Sequence, residues 1–335
     1  MAAAAAGSRS SSAAATLTEE EEPEQQAQQR RPSRKSSHAT CTSTDASSTS
    51  AASAATSSAA WRATSEVLLF VDWDDTLFPT SWMDSKPAFR AWGLGGCDTD
   101  LVLDEADAAL MSDLDQAARS FLVSASELGK VCCITLASQK WHSRTMAAFL
   151  PRTAAAWHEL GIEVHYASKE RLETRRASQR YNCSTWSVKT ALTDEGEKRM
   201  MEENIKVSKK RRAMSKVLRR FYGTGASWKN ILNFGDSPCE RQALWDAAFG
   251  HRNPTSSKTG SPKPFRVKTM KMMEVPSCSE LREELQQLQA WLPLLVHLDN
   301  DLDGTLACEE EARMEVQQHL EDALAAQGPR LSSAC

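Results

Sequence analysis

The chain is expected to fold as an α/β protein with a doubly wound, parallel, Rossmann-like sheet and helices on both faces. Three observations predict it. Val67-Leu68-Leu69-Phe70-Val71 is apolar at every position, as a strand buried on both faces of a parallel sheet must be. Two further short segments, Val131 to Leu136 and Trp228 to Phe234, read as strands and end in small residues. Between these runs lie longer stretches whose apolar residues recur at helical spacing, so strands alternate with helices.

Taken in order, the first run ends in Asp72 and is followed by Leu77-Phe78-Pro79-Thr80-Ser81-Trp82, an aromatic turn at the strand's end. Residues 101–128 carry Leu110, Leu114, Ala117, Phe121 and Leu122 at helical spacing and stop at Gly129, a good helix terminator. A helix is predicted from Trp141 to Leu150, ended by Pro151, and another over 154–160, closed by Gly161. A short strand over Ile162 to Tyr166 follows, then polar residues without clear periodicity. Residues 186–222 read as a basic helix. Its Lys209-Lys210-Arg211-Arg212 is either a polyanion contact or, more plainly, the solvated face of a surface helix. A helix through Ala248, an exposed loop over 251–264, an edge strand from Phe265 to Met272 and helices over 279–298 and 309–326 complete the chain.

Composition sets the boundaries. The first 62 residues are mostly Ala, Ser, Thr, Glu, Gln and Arg, which bury too little apolar surface to offset chain entropy, so a disordered segment is expected there. Residues 63–298 are assigned to the α/β domain and 299–335 to an acidic loop with a terminal helix. The 335 residues carry a formal charge of −4, and nucleic acid is not an expected partner on that ground. Nine cysteines without a Cys-x-x-Cys pair suit a reducing compartment rather than zinc or a disulfide framework. No apolar stretch reaches the length of a membrane span, and Glu19 to Glu22 argues against an organelle transit peptide. A cytoplasmic location is expected, with the nucleus as the alternative.

Asp72, Asp74 and Asp75 crowd into four positions at the end of the first strand. A parallel strand delivers such residues to the carboxyl edge of the sheet, where α/β folds bind ligands. Oxygen donors at that density suit a hard divalent cation such as Mg2+, while an Asx-rich turn accounts for them equally well in isolation.

The order of motifs along the chain decides between these readings. Asp72-Trp73-Asp74-Asp75-Thr76, Thr135 at the end of the second strand, a lysine near 189, and Gly235-Asp236-Ser237-Pro238-Cys239-Glu240 together resemble the haloacid dehalogenase-like (HAD) superfamily. More narrowly, Asp72 to Thr80, Ile134 to Pro151 and Gly235 to Leu244 look like a protist and algal branch of it. The resemblance implies a HAD-type sheet with little or no cap, and a Mg2+-dependent phosphatase or phosphotransferase acting through an aspartyl-phosphate. It makes Asp72 the nucleophile and Asp74 the acid/base. Thr135 and a lysine, Lys189 rather than Lys206, Lys209 or Lys216, would hold the transferring phosphoryl group. Asp72, Asp74 through its backbone carbonyl, Asp236 and Glu240 would hold the metal. A capless enzyme of this kind often takes a macromolecular phosphorylated substrate. Two departures, Leu136 where the branch has Asn and the displaced lysine, point to a catalytically weak binding module as the alternative.

Asp299 to Glu310 also matches an EF-hand loop, with Asp at positions 1, 3 and 5, Gly at 6 and Glu at 12, so Ca2+ binding there competes with a plain acidic loop.

Overall fold

Five consecutive buried residues, Val67–Val71, form the central strand β1. The computed structural model describes residues 60–93, 103–171, 195–223, 230–249, 265–306 and 310–326. The first 59 residues and the 251–264 loop therefore lie outside the described residues, as does Lys189.

The short helices α1 (Thr80–Asp84) and α2 (Pro87–Gly93) follow β1. Then come α3 (Glu105–Leu128), β2 (Lys130–Thr135), α4 (Gln139–Phe149), α5 (Pro151–Glu159) and β3 (Glu163–Tyr166). The second half contains α6 (Glu195–Tyr222), β4 (Asn230–Gly235), α7 (Pro238–Phe249), β5 (Arg266–Lys271), α8 (Cys278–His297), β6 (Leu302–Thr305) and α9 (Glu310–Ala326). Local chemistry sets several of these boundaries. Asp104 caps α3 by accepting from the Asp107 N–H, and Ser138 caps α4 by accepting from Trp141 N–H. Ser277 and Glu280 form a reciprocal capping box at the start of α8, which continues through Pro293 without breaking.

The six strands are all parallel, in the order β3-β2-β1-β4-β5-β6. Alternate residues of the strands enter two separate cores. Val67, Leu69, Val71, Cys133, Leu232 and Phe234 pack with Phe121 and Leu122 of α3 and Leu285, Leu288 and Trp291 of α8. Leu68, Phe70, Cys132, Ile134 and Ile231 pack with Met214, Val217 and Leu218 of α6 and with Ala243 and Leu244 of α7. Period-two alternation divides one apolar run between two cores.

Two expectations need correction. The segment 265–272 is not an edge strand, because β5 pairs with β4 on one side and with β6 on the other. The edge is β6, which lies within the stretch read as an EF-hand or acidic loop. Its carboxylates are engaged by neighbours: Asp301 Oδ1 accepts from Val267 N–H at 2.8 Å and Asp303 Oδ1 from Thr269 Oγ1 at 2.6 Å. Asp303 pairs with Arg241 and Asp299 with Arg266. Among the described residues Asp299, Asp301 and Asp303 do not gather into a metal-sized group of carboxylates. Gly304 permits the approach of β6 to β5, since a Cβ there would sit 2.6 Å from Met270 Sδ. Residues 302–305 thus extend the sheet of the α/β domain. No described helix is long and apolar enough to cross a membrane.

Candidate functional site

The strand order reverses direction between β1 and β4, and at such a switch point the loops leaving neighbouring strands diverge and open a crevice. Asp72 follows β1 and Asp236 follows β4, so the two carboxylates flank that point. The register is continued by Asp72 N–H, which donates to Phe234 C=O at 3.1 Å.

Beyond Asp72 the chain turns sharply, with the Leu77 and Phe78 N–H groups both donating to Trp73 C=O at 3.0 Å. Asp75 takes φ 52°, a left-handed conformation that a short carboxylate side chain tolerates. Its two oxygens accept from the Ser81 N–H at 2.8 Å and the Ser81 hydroxyl at 2.5 Å, tying the turn to α1. Asp75 is therefore committed to the turn. Thr76 ties β1 to β4: its Oγ1 accepts from Asp236 N–H at 3.2 Å and donates to Asp236 Oδ1 at 3.4 Å.

The centre consists of three carboxylates and one ammonium. One oxygen each of Asp72, Asp236 and Glu240 lie within 4.8 Å of one another, and Asp72 and Glu240 are buried. Glu240 stands in the first turn of α7, where its Oε2 accepts from Ser237 N–H at 2.9 Å. Lys210 of α6 reaches in from the side, 2 % exposed, and its Nζ donates to Asp72 Oδ2 at 2.6 Å and to Glu240 Oε1.

One cation does not balance three acids, two of them buried and Asp236 half-buried. Burial raises the Asp72 carboxyl to about 7, with Lys210 opposing and Glu240 and Asp74 adding to the rise. Asp236 is pushed up to about 8 by burial, with Glu240 and Asp72 adding to it. Lys210 is held protonated: burial disfavours its charge, but Asp72 and Glu240 outweigh that and raise it above the ordinary lysine value. Asp72 Oδ1 is buried and has no hydrogen-bond partner among the described residues. Excess negative charge, an orphaned carboxylate oxygen and an all-oxygen donor set fit a divalent cation, which Asp72, Asp236 and Glu240 could hold together.

The remaining predicted residues fall as follows. Asp74 stands apart from the three grouped acids, and its Oδ1 accepts from Thr80 Oγ1 at 2.6 Å and from Trp141 Nε1 at 3.0 Å. Thr135 closes β2 and is fully buried, and its Oγ1 accepts from Ala137 N–H at 2.9 Å. Leu136 packs against the second core. Lys189 lies outside the described residues, and the lysine that meets Asp72 is Lys210.

Lys210 was missed because Lys209 to Arg212 read as a single exposed basic patch. The signal was in the spacing. Ala213, Met214, Val217 and Leu218, at i+3, i+4, i+7 and i+8 from Lys210, are all buried, which places Lys210 on the inward stripe of α6. A lysine on such a stripe needs acids to meet it.

Comparison of the chain with protein-family models, curated proteins and solved structures returns no match.

Proposed function

We propose that the protein is a Mg2+-dependent phosphoric monoester hydrolase of HAD type. In this reading helices cover both faces of its doubly wound sheet. The observation that carries the proposal is the meeting of Asp72, Asp236, Glu240 and Lys210 at the switch point of a parallel sheet. Three stretches far apart in the chain meet there: the end of β1 with Asp72, α6 with Lys210, and the junction of β4 and α7 with Asp236 and Glu240.

The chemistry follows from the charges. A carboxylate and a phosphate dianion repel, and Mg2+ held by Asp72, Asp236 and Glu240 would neutralise charge on both. Lys210 fixes Asp72 Oδ2 and offers its ammonium to an oxygen of the transferring group. Asp72 attacks phosphorus as the ester P–O bond breaks, giving an aspartyl-phosphate and the leaving oxygen. Asp74 supplies the proton to that oxygen. It then takes a proton from the water that attacks the aspartyl-phosphate, which restores Asp72 and releases phosphate. The Thr80 hydroxyl and the Trp141 indole both donate to Asp74 Oδ1, so Oδ2 is the oxygen that carries the proton. Between β1 and α3 the described residues form only two short helices, which suits a site open to a large phosphorylated substrate.

The test is hydrolysis of p-nitrophenyl phosphate by the whole chain, with Mg2+ or EDTA, beside Asp72→Asn. Release that requires Mg2+ and disappears in the variant supports the reading. An inactive protein would next be incubated with beryllofluoride and Mg2+. Failure to form an adduct that depends on Asp72 would sink the proposal in favour of a binding module that keeps the fold.

A further inference from the structure

The basic run of α6 divides into two parts. Lys210 turns inward to the carboxylates, while its neighbours build a separate concavity of about 630 Å³ against residues 169–171. Six cations line it: Lys169, Arg171, Arg211, Arg212, Lys216 and Arg219. The acid in the lining is Glu170, and it is already bonded to Lys216, at 2.6 and 2.8 Å. Among the described residues Arg171, Arg211 and Arg219 have no ion-pair partner. Like charges gathered in a concavity repel unless an anion sits among them.

We propose that this groove binds the phosphate backbone of a double-stranded nucleic acid without reading its sequence. Four of the six cations are arginines, whose planar fork matches a phosphate in two-point contact. From Arg211 to Arg219 the helix rises about 12 Å, the axial span of three or four successive phosphates on one strand of a duplex. The rest of the lining is Glu170 and Ser215, with no aromatic or aliphatic side chain. Single-strand sites stack bases on aromatic platforms, and peptide grooves need walls for apolar anchors, so a duplex is favoured over either. The formal charge of −4 spreads over the whole chain and does not describe this face. On α6 these side chains point away from the stripe that holds Lys210. The inference therefore stands apart from the phosphatase reading.

Fluorescence anisotropy of a labelled 20-base-pair duplex of mixed sequence, titrated with the whole chain in 50 and 200 mM salt, tests it. With three phosphates neutralised, affinity should fall about 40-fold between the two salts, and by the same factor for a duplex of unrelated sequence. The double variant Arg211→Gln, Arg219→Gln should bind more weakly, with the salt effect cut to about threefold. Asp72→Asn should bind like the wild type, which separates this proposal from the catalytic one. It is overturned by absence of binding at 50 mM salt, by binding that the double variant leaves unchanged, or by tighter binding of a single strand or a polyglutamate peptide.

Discussion

Lys210 Nζ lies 2.6 Å from Asp72 Oδ2, and 138 residues separate the two along the chain. Both are buried, and the same ammonium also reaches Glu240. The contact links β1, α6 and α7 through a single charge. Removing that charge leaves the carboxylates of Asp72 and Glu240 buried without compensation, which costs about 3–5 kcal/mol for a pair of this kind. Lys210→Met should therefore lower unfolding stability by that order in urea titration at pH 8 and abolish phosphatase activity. Lys189→Ala should do neither. The reverse outcome would return the third motif to Lys189.

Gly235 shows how tightly β4 approaches the site. A Cβ there would sit 2.6 Å from Glu240 Cγ and 3.0 Å from its Cβ. The far end of Glu240 is held by Lys210 and by Ser237 N–H, so the side chain has little room to retreat. Gly235→Ala should keep the fold but weaken Mg2+ stabilisation, seen as a smaller rise in Tm on adding the ion, and lower kcat about tenfold. An unchanged Mg2+ response would mean that Glu240 does not contribute to holding the ion.

Trp141 tests the acid/base assignment. Its ring packs against Phe78 and Phe89, with centroids 6.5 and 5.6 Å away, while its N–H donates to Asp74 Oδ1. Phenylalanine keeps an aromatic ring at this position and removes the donor. A lost hydrogen bond to a charged group corresponds to roughly 1.5–3 kcal/mol, or about tenfold or more in rate. Trp141→Phe should lower kcat by that factor and leave KM within about twofold. A change in KM alone would make Trp141 a substrate contact instead.

The fold was legible wherever hydrophobic periodicity and burial agree. Val67 to Val71 could hardly be anything but a central strand, and Pro151 at the first turn of α5 and Gly161 at φ 61° begin and end that helix as their backbones favour. Asp72, Asp236 and Glu240 were legible because acids at strand ends and helix starts are placed by topology. β6 was not, because Leu302-Asp303-Gly304-Thr305 has a single apolar residue. What makes it a strand is pairing with β5, together with bonds from Asp301 and Asp303 to residues 34 positions away, and local propensity carries none of that. Lys210 was hidden for a different reason. Charge clustering suggested a surface, whereas spacing against Ala213, Met214 and Val217 points inward.

Glu284 of α8 supplies a stability switch unconnected with catalysis. It is 3 % exposed; its Oε1 accepts from Met273 N–H at 2.9 Å, and its Oε2 is buried with no partner among the described residues. Burial raises this carboxyl from 4.5 to about 7, opposed by the Met273 bond and by the charges of Arg313 and Lys271, with Glu280 adding to the rise. The folded value thus lies above the unfolded one. Between about pH 4.5 and 7 the folded protein keeps a proton that the unfolded chain has released, so stability from this group is full below that window and is lost as pH rises through it. At about 1.4 kcal/mol per pKa unit the loss is at most about 3.5 kcal/mol. Glu284→Gln removes the titration while keeping an oxygen acceptor for Met273. Urea unfolding at pH 5 and pH 8 should find the two proteins similar at the lower pH and the variant more stable at the higher one. Asp72 and Asp236 titrate in both proteins, so the difference between them isolates Glu284. A variant that is less stable than wild type at pH 8 would mean that the charge of Arg313 outweighs burial and stabilises the ionised Glu284 carboxylate in the fold.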